Sequence, residues 1–89
     1  MSRTTEQIDA DEALTEAIEQ VWKSYSEEGD PGGVLVEYVI VANYRTWDED
    51  GDSITTTLLH NRDDAVPLSN QLGMAEFLAA RVRKAINED

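Results

Sequence analysis

Two stripes of helical period bracket a pair of β-rich runs in this chain. Leu14, Ala17, Ile18, Val21, Trp22 and Tyr25 recur three and four residues apart, which places them on one face of an α-helix. Glu12, Glu16, Glu19, Lys23 and Glu27 fall on the other face. Asp9 with Glu12 resembles a capping box in which Asp replaces Ser or Thr, and Gly29 followed by Pro31 stops the pattern. A helix is therefore predicted over residues 9–28, preceded by a flexible N-terminal arm over 1–8. The second stripe, Leu72, Ala75, Leu78, Ala79, Val82 and Ile86, predicts a helix capped by Ser69 or Asn70 and running to about residue 87. Both stripes are expected to be buried, with Trp22 in the core.

Between the helices, "VLVEYVIVANYRTW" is rich in β-branched and aromatic residues and reads as one strand over 34–47; "SITTTLLHN" reads as a second over 53–61. The stretch joining them holds Asp48, Glu49, Asp50, Gly51 and Asp52. Asp48 suits the first position of a type I turn and Gly51 the fourth, which gives a three-residue hairpin loop with a left-handed glycine. That turn fixes the register: Thr46 opposite Ile54, Tyr44 opposite Thr56, Ala42 opposite Leu58, Ile40 opposite His60. One face then carries Val36, Tyr38, Ile40, Ala42, Tyr44, Ile54 and Leu58, a seat for both helices. The other carries Glu37, Asn43, Arg45, Thr55 and Thr57, together with Leu35, Val39, Val41, Leu59 and Trp47. A two-residue turn would flip the second strand and pair the apolar set less well. The fold class is α+β in the order α-β-β-α, with both helices on one face of a long antiparallel hairpin and residues 9–89 forming a single domain.

The second strand is too short for the first. Residues 34–39 have no partner within the hairpin, and an apolar strand with an open edge associates unless something covers it. The simplest cover is a second copy related by a two-fold axis, with Val34, Leu35, Val36, Glu37, Tyr38, Val39, Ile40 and Val41 of each chain pairing antiparallel. A homodimer with a four-stranded sheet is expected; the competing expectation is that a loop or the N-terminal arm covers the strand.

Charge narrows the range of partners. The 89 residues carry nineteen acids against seven bases, a net charge of −12, so direct binding to nucleic acid or to an anionic membrane is disfavoured. Residues 1–33 hold nine acids and two bases, whereas residues 67–89 hold three of each. Arg81, Arg83 and Lys84 form the one basic cluster, suited to the helix dipole and to pairing with the acidic first helix. The opening "MSRTTEQIDADEAL" has no apolar stretch that could act as a signal sequence, and the apolar run "VLVEYVIVA" is too short for a membrane helix. With no cysteine, neither a disulfide nor a thiolate site is available, and a cytoplasmic location is expected.

No cofactor and no catalytic or metal site is expected. A calcium loop begun at Asp48 finds carboxylates at its first, third and fifth positions, but Ser53 stands where glycine is needed and Leu59 where a bidentate glutamate is needed. His60 is the lone histidine and reads as a structural or surface residue. Asp63 and Asp64 beside Arg62 read as solvated loop residues. Arg45 and Trp47 form the candidate interaction surface, since Trp and Arg dominate binding hot spots. Trp47 packing under a helix end or against a mate is an equal reading.

The acidic first helix, "EYVIVANYRTWDEDGDS", "DDAVPL" and "LGMAEFL" together resemble small proteins of unknown function encoded by mycobacteriophages and related actinobacteriophages. The resemblance spans about residues 13–82 and includes no catalytic motif. It implies a phage accessory protein in the host cytoplasm that binds a host protein. Three functions compete: a non-enzymatic protein-interaction module, an acidic nucleic-acid mimic that occupies a DNA-binding protein, and a metal-binding or enzymatic protein using residues 48–52.

Overall fold

The computed structural model describes residues 2–26 and 33–88. Its elements run α1 (Thr5–Tyr25), β1 (Val39–Trp47), β2 (Ser53–Asn61), a short 3-10 turn (Arg62–Asp64) and α2 (Leu68–Glu88), an α+β arrangement in the order α-β-β-α. The chain forms two compact units, Met1–Glu37 and Tyr38–Asp89, and each is described by itself.

In the first unit, α1 begins ahead of the sequence expectation. The side chain of Thr4 accepts a hydrogen bond from the Gln7 N–H at 3.1 Å, and the Gln7 side chain accepts from the Thr4 N–H at 2.8 Å. This is a complete capping box, and it outcompetes Asp9 because it satisfies two terminal N–H groups reciprocally. Residues 5–8 consequently belong to the helix. Arg3 donates to the buried Asp11 at 2.6 Å, which ties the entering chain to the helix surface. The helix also stops earlier than predicted. The N–H and hydroxyl of Ser26 both donate to the Trp22 carbonyl, and Ser26 itself is extended, at φ −76° and ψ 143°. The expected last turn at Glu27 and Glu28, and the expected stop at Gly29 and Pro31, lie outside the described residues.

The second unit is an antiparallel hairpin followed by α2, and among the described residues β1 and β2 form a two-stranded sheet. The register is the one expected from the turn: Thr46 faces Ile54, Tyr44 Thr56, Ala42 Leu58 and Ile40 His60. β1, however, starts at Val39, opposite Asn61, and residues 33–38 lie in no strand. A ladder needs a partner, and β2 runs out there. One further bond, from the Arg62 N–H to the Tyr38 carbonyl at 3.1 Å, closes the base.

The link to α2 is held by side chains. Asn61 Oδ1 accepts from the Val66 N–H at 2.9 Å, and Gln71 Nε2 donates to the Val66 carbonyl at 2.8 Å. Asp63 and Asp64 both take the left-handed backbone at φ 55°, which Asp tolerates better than most residues. α2 starts at Leu68 behind Pro67, whose carbonyl accepts from the N–H groups of Asn70 and Gln71. The predicted caps, Ser69 and Asn70, instead sit inside the first turn.

Burial in this unit concentrates at the hairpin base and the start of α2. Tyr38 is buried, and Val39, Ile40, Ala42, His60, Val66, Gln71 and Met74 are half-buried. The predicted buried stripe of α2 is not buried: Leu72 is 60% and Ile86 66% exposed. Arg81 lies over the Phe77 ring at 5.9 Å, and Lys84 pairs with Glu88 at 3.9 Å, so two of the three basic residues engage their own helix.

Candidate interaction surface

The tip of the hairpin is internally complete. Asp48 N–H donates to the Asp52 carbonyl and Gly51 N–H to the Asp48 carbonyl, at 3.0 and 3.1 Å. Asp48 Oδ1 accepts from the N–H groups of Asp50 and Asp52 at 3.0 and 2.9 Å. Gly51 has φ +83°, a conformation that side-chain-bearing residues rarely adopt. The Asp48 carboxylate therefore acts as a backbone cap inside the predicted turn. Among the described residues, no group of three or more His, Asp or Glu is placed to hold a metal ion.

The edge of β1 is different. In an antiparallel ladder, residues alternate between pointing their backbone groups at the partner strand and pointing them away. Asp48 bonds to Asp52 at the tip and Tyr38 to Arg62 at the base, so the even positions between them face β2. The odd positions Val39, Val41, Asn43 and Arg45 direct N–H and C=O outward. Because the sheet has two strands, no third strand meets those groups among the described residues.

The side chains of these odd positions share one sheet face. Val41 is 63% exposed, its cross-strand neighbour Leu59 71%, and Trp47 65%. Asn43 accepts a hydrogen bond from the Thr57 hydroxyl at 2.8 Å, and Arg45 is exposed. The even face of β1 is better covered toward its base, where Ile40 and Ala42 are half-buried. An open backbone edge and an apolar, Trp- and Arg-bearing face thus coincide on one strand.

In the first unit, Trp22 departs from its expected place. It is 54% exposed and lines an open groove of about 680 Å³ with Ile18, Val34, Leu35 and Val36. Glu19, Lys23 and Glu37 stand in its walls, and Gly33 lies close enough that a Cβ there would meet the indole at 3.9 Å. Val34 and Val36 are 88% and 75% exposed. The helical period of Trp22 set it on one face with half-buried Leu14 and Ile18. Val21 and Tyr25 of the same stripe, however, are 55% and 86% exposed, so the stripe expected to be buried is largely open. The period could not show that the segment after the helix leaves that face open, because this depends on contacts distant in sequence.

Of the residues singled out from sequence, the structure brings Arg45, Trp47, Val39 and Val41 onto one face of β1. Val34, Leu35 and Val36 join the groove beside α1, while Asp48, Asp50 and Asp52 form the turn. Sequence reading missed the Asn61 and Gln71 side-chain clasp on Val66; a polar side chain that caps a neighbouring backbone carries no periodic signal. No family model matches this chain, and neither a curated protein nor a solved structure matches it.

Proposed function

We propose that the protein is a small acidic, non-enzymatic protein-interaction module that works as a homodimer built on β1 and engages a second protein. The open, apolar edge of β1 carries this reading. Unpaired strand edges recruit other strands, and covering one large apolar side chain contributes about 1.5–3 kcal/mol. The exposed stripe of α2 adds apolar surface to the same unit. Resemblance to actinobacteriophage proteins supports a host protein as the second partner and the host cytoplasm as the place of action. A pull-down from an actinobacterial lysate with wild-type and Val41→Lys baits tests it. A stoichiometric partner lost with the altered bait is expected; equal recovery on both baits would detach the partner from this edge.

A second reading rests on α1, where Glu12, Glu16 and Glu19 are all exposed at helical spacing. Such a row could stand in for phosphates and occupy a DNA-binding protein. Its mark is steep salt dependence toward a basic partner, since screening acts on exposed charges. Binding that is unchanged between low and high salt would exclude the mimic and leave the dimeric module.

A further inference from the structure

We propose that Asn43 lies on the two-fold axis of the β1 dimer and fixes how the two copies align. This rests on the dimeric reading above and goes beyond it by naming the residue that selects the register. Strand β1 alone, Val39–Trp47, supplies the contact. Its outward backbone groups sit at odd positions, so two copies pair antiparallel with odd opposite odd. Asn43 is the middle of the nine residues, and an axis there opposes all nine to the second copy. Each one-residue displacement of the axis leaves the two end residues of every strand unopposed.

The side chains favour the same alignment. Val39 meets Trp47 of the second copy, Val41 meets Arg45, Ala42 meets Tyr44, and Asn43 meets itself. Exposed Tyr44 thereby lies over half-buried Ala42, a large side chain over a small one on each side of the axis. Arg45 is the one charged residue of β1, and it stands about 14 Å along the strand from its own copy, so like charges do not meet. At the axis, Asn43 Oδ1 accepts from the Thr57 hydroxyl at 2.8 Å and keeps a second lone pair. Each Asn43 Nδ2 donates across the axis to that lone pair. The result is a polar row of Thr57, Asn43, Asn43 and Thr57 crossing four strands. An axis at Ala42 or Tyr44 sets the amide against Val41 or Arg45 and breaks the row. One polar residue in an apolar contact selects the alignment that gives it its own copy as partner.

The chain has no cysteine, so cysteines at positions 42 and 44 report the alignment without background. Across this contact the even positions form the non-hydrogen-bonded pairs, with Cα atoms about 4.5 Å apart and within disulfide reach. With the axis at Asn43, mild oxidation joins Ala42→Cys chains to Tyr44→Cys chains. Neither variant joins to itself, because each cysteine lies about 7 Å along the strand from its own copy. Charge gives a second readout. Val41→Lys meets Arg45 and dissociates the dimer, whereas Val41→Glu meets the same arginine and keeps association within about threefold of wild type. A self-linked Ala42→Cys or Tyr44→Cys dimer, a dimer without the mixed cross-link, or equal loss from both charges overturns the register while leaving the dimer standing. A wild-type chain of monomer mass at every concentration overturns both.

Discussion

The two ends of β1 use the same kind of backbone in opposite ways. At the tip, residues 48–52 consume their own polar groups: one carboxylate takes two N–H groups and a left-handed glycine closes the reversal. Toward the other end, beginning at Val39, the outward backbone groups meet no third strand among the described residues. The most acidic stretch of the strand region is thus a finished local structure, and the most apolar stretch is the unfinished one. Charge density by itself marked the less informative site.

This contrast can be broken most severely by proline. Ile40→Pro removes a donor aimed at β2 and is expected to cost about 3 kcal/mol and melt the hairpin, whereas Val41→Pro removes an outward donor and leaves the hairpin formed while association is lost. Circular dichroism and hydrogen exchange of the two variants separate these outcomes; equal damage from both would contradict the assigned edge. Next in size, Gly51→Ala places a side chain at φ +83° with open space around it. The cost is conformational, about 1–2 kcal/mol in a urea titration. A neutral result would mean that the turn relaxes to another type. Asp48→Ala strips the cap from two N–H groups that water can partly satisfy, so about 1 kcal/mol is expected in the same titration. Asp48→Asn, which keeps the acceptor, should recover most of it, and failure to do so would assign the effect to charge. Smallest is Thr4→Ala, far from the sheet, which should fray the first turn of α1 for about 0.5 kcal/mol and leave hairpin exchange rates unchanged.

What could be read from the sequence follows the same division. Turn chemistry spans five residues and dictates register through a period of two, so the pairing of Thr46 with Ile54 through Ile40 with His60 emerged directly. The α1 stripe was legible only in part: Leu14 and Ile18 are half-buried, while Val21 and Tyr25 are 55% and 86% exposed. The start of α1 was misplaced because two capping patterns, Thr4 with Gln7 and Asp9 with Glu12, lie close together and only one can open the helix. Burial was the least legible property. Trp22, Leu72 and Ile86 have the spacing of core residues, yet spacing says which side chains share a face and not whether that face is covered. The left-handed pair Asp63 and Asp64 was also invisible, since a loop read from composition has no assigned dihedrals.

Sedimentation equilibrium of the wild-type chain beside Val41→Lys, over a wide concentration range, tests the central claim most directly. A lysine at that position adds a charge to the open edge, and because the Val41 N–H and C=O point away from β2 the bonds between the two strands are left in place. The account predicts twice the 9.9 kDa chain mass for the wild type and the single chain mass for Val41→Lys, with hairpin signals intact in both. A wild-type monomer throughout, or a dimer indifferent to the lysine, would contradict it.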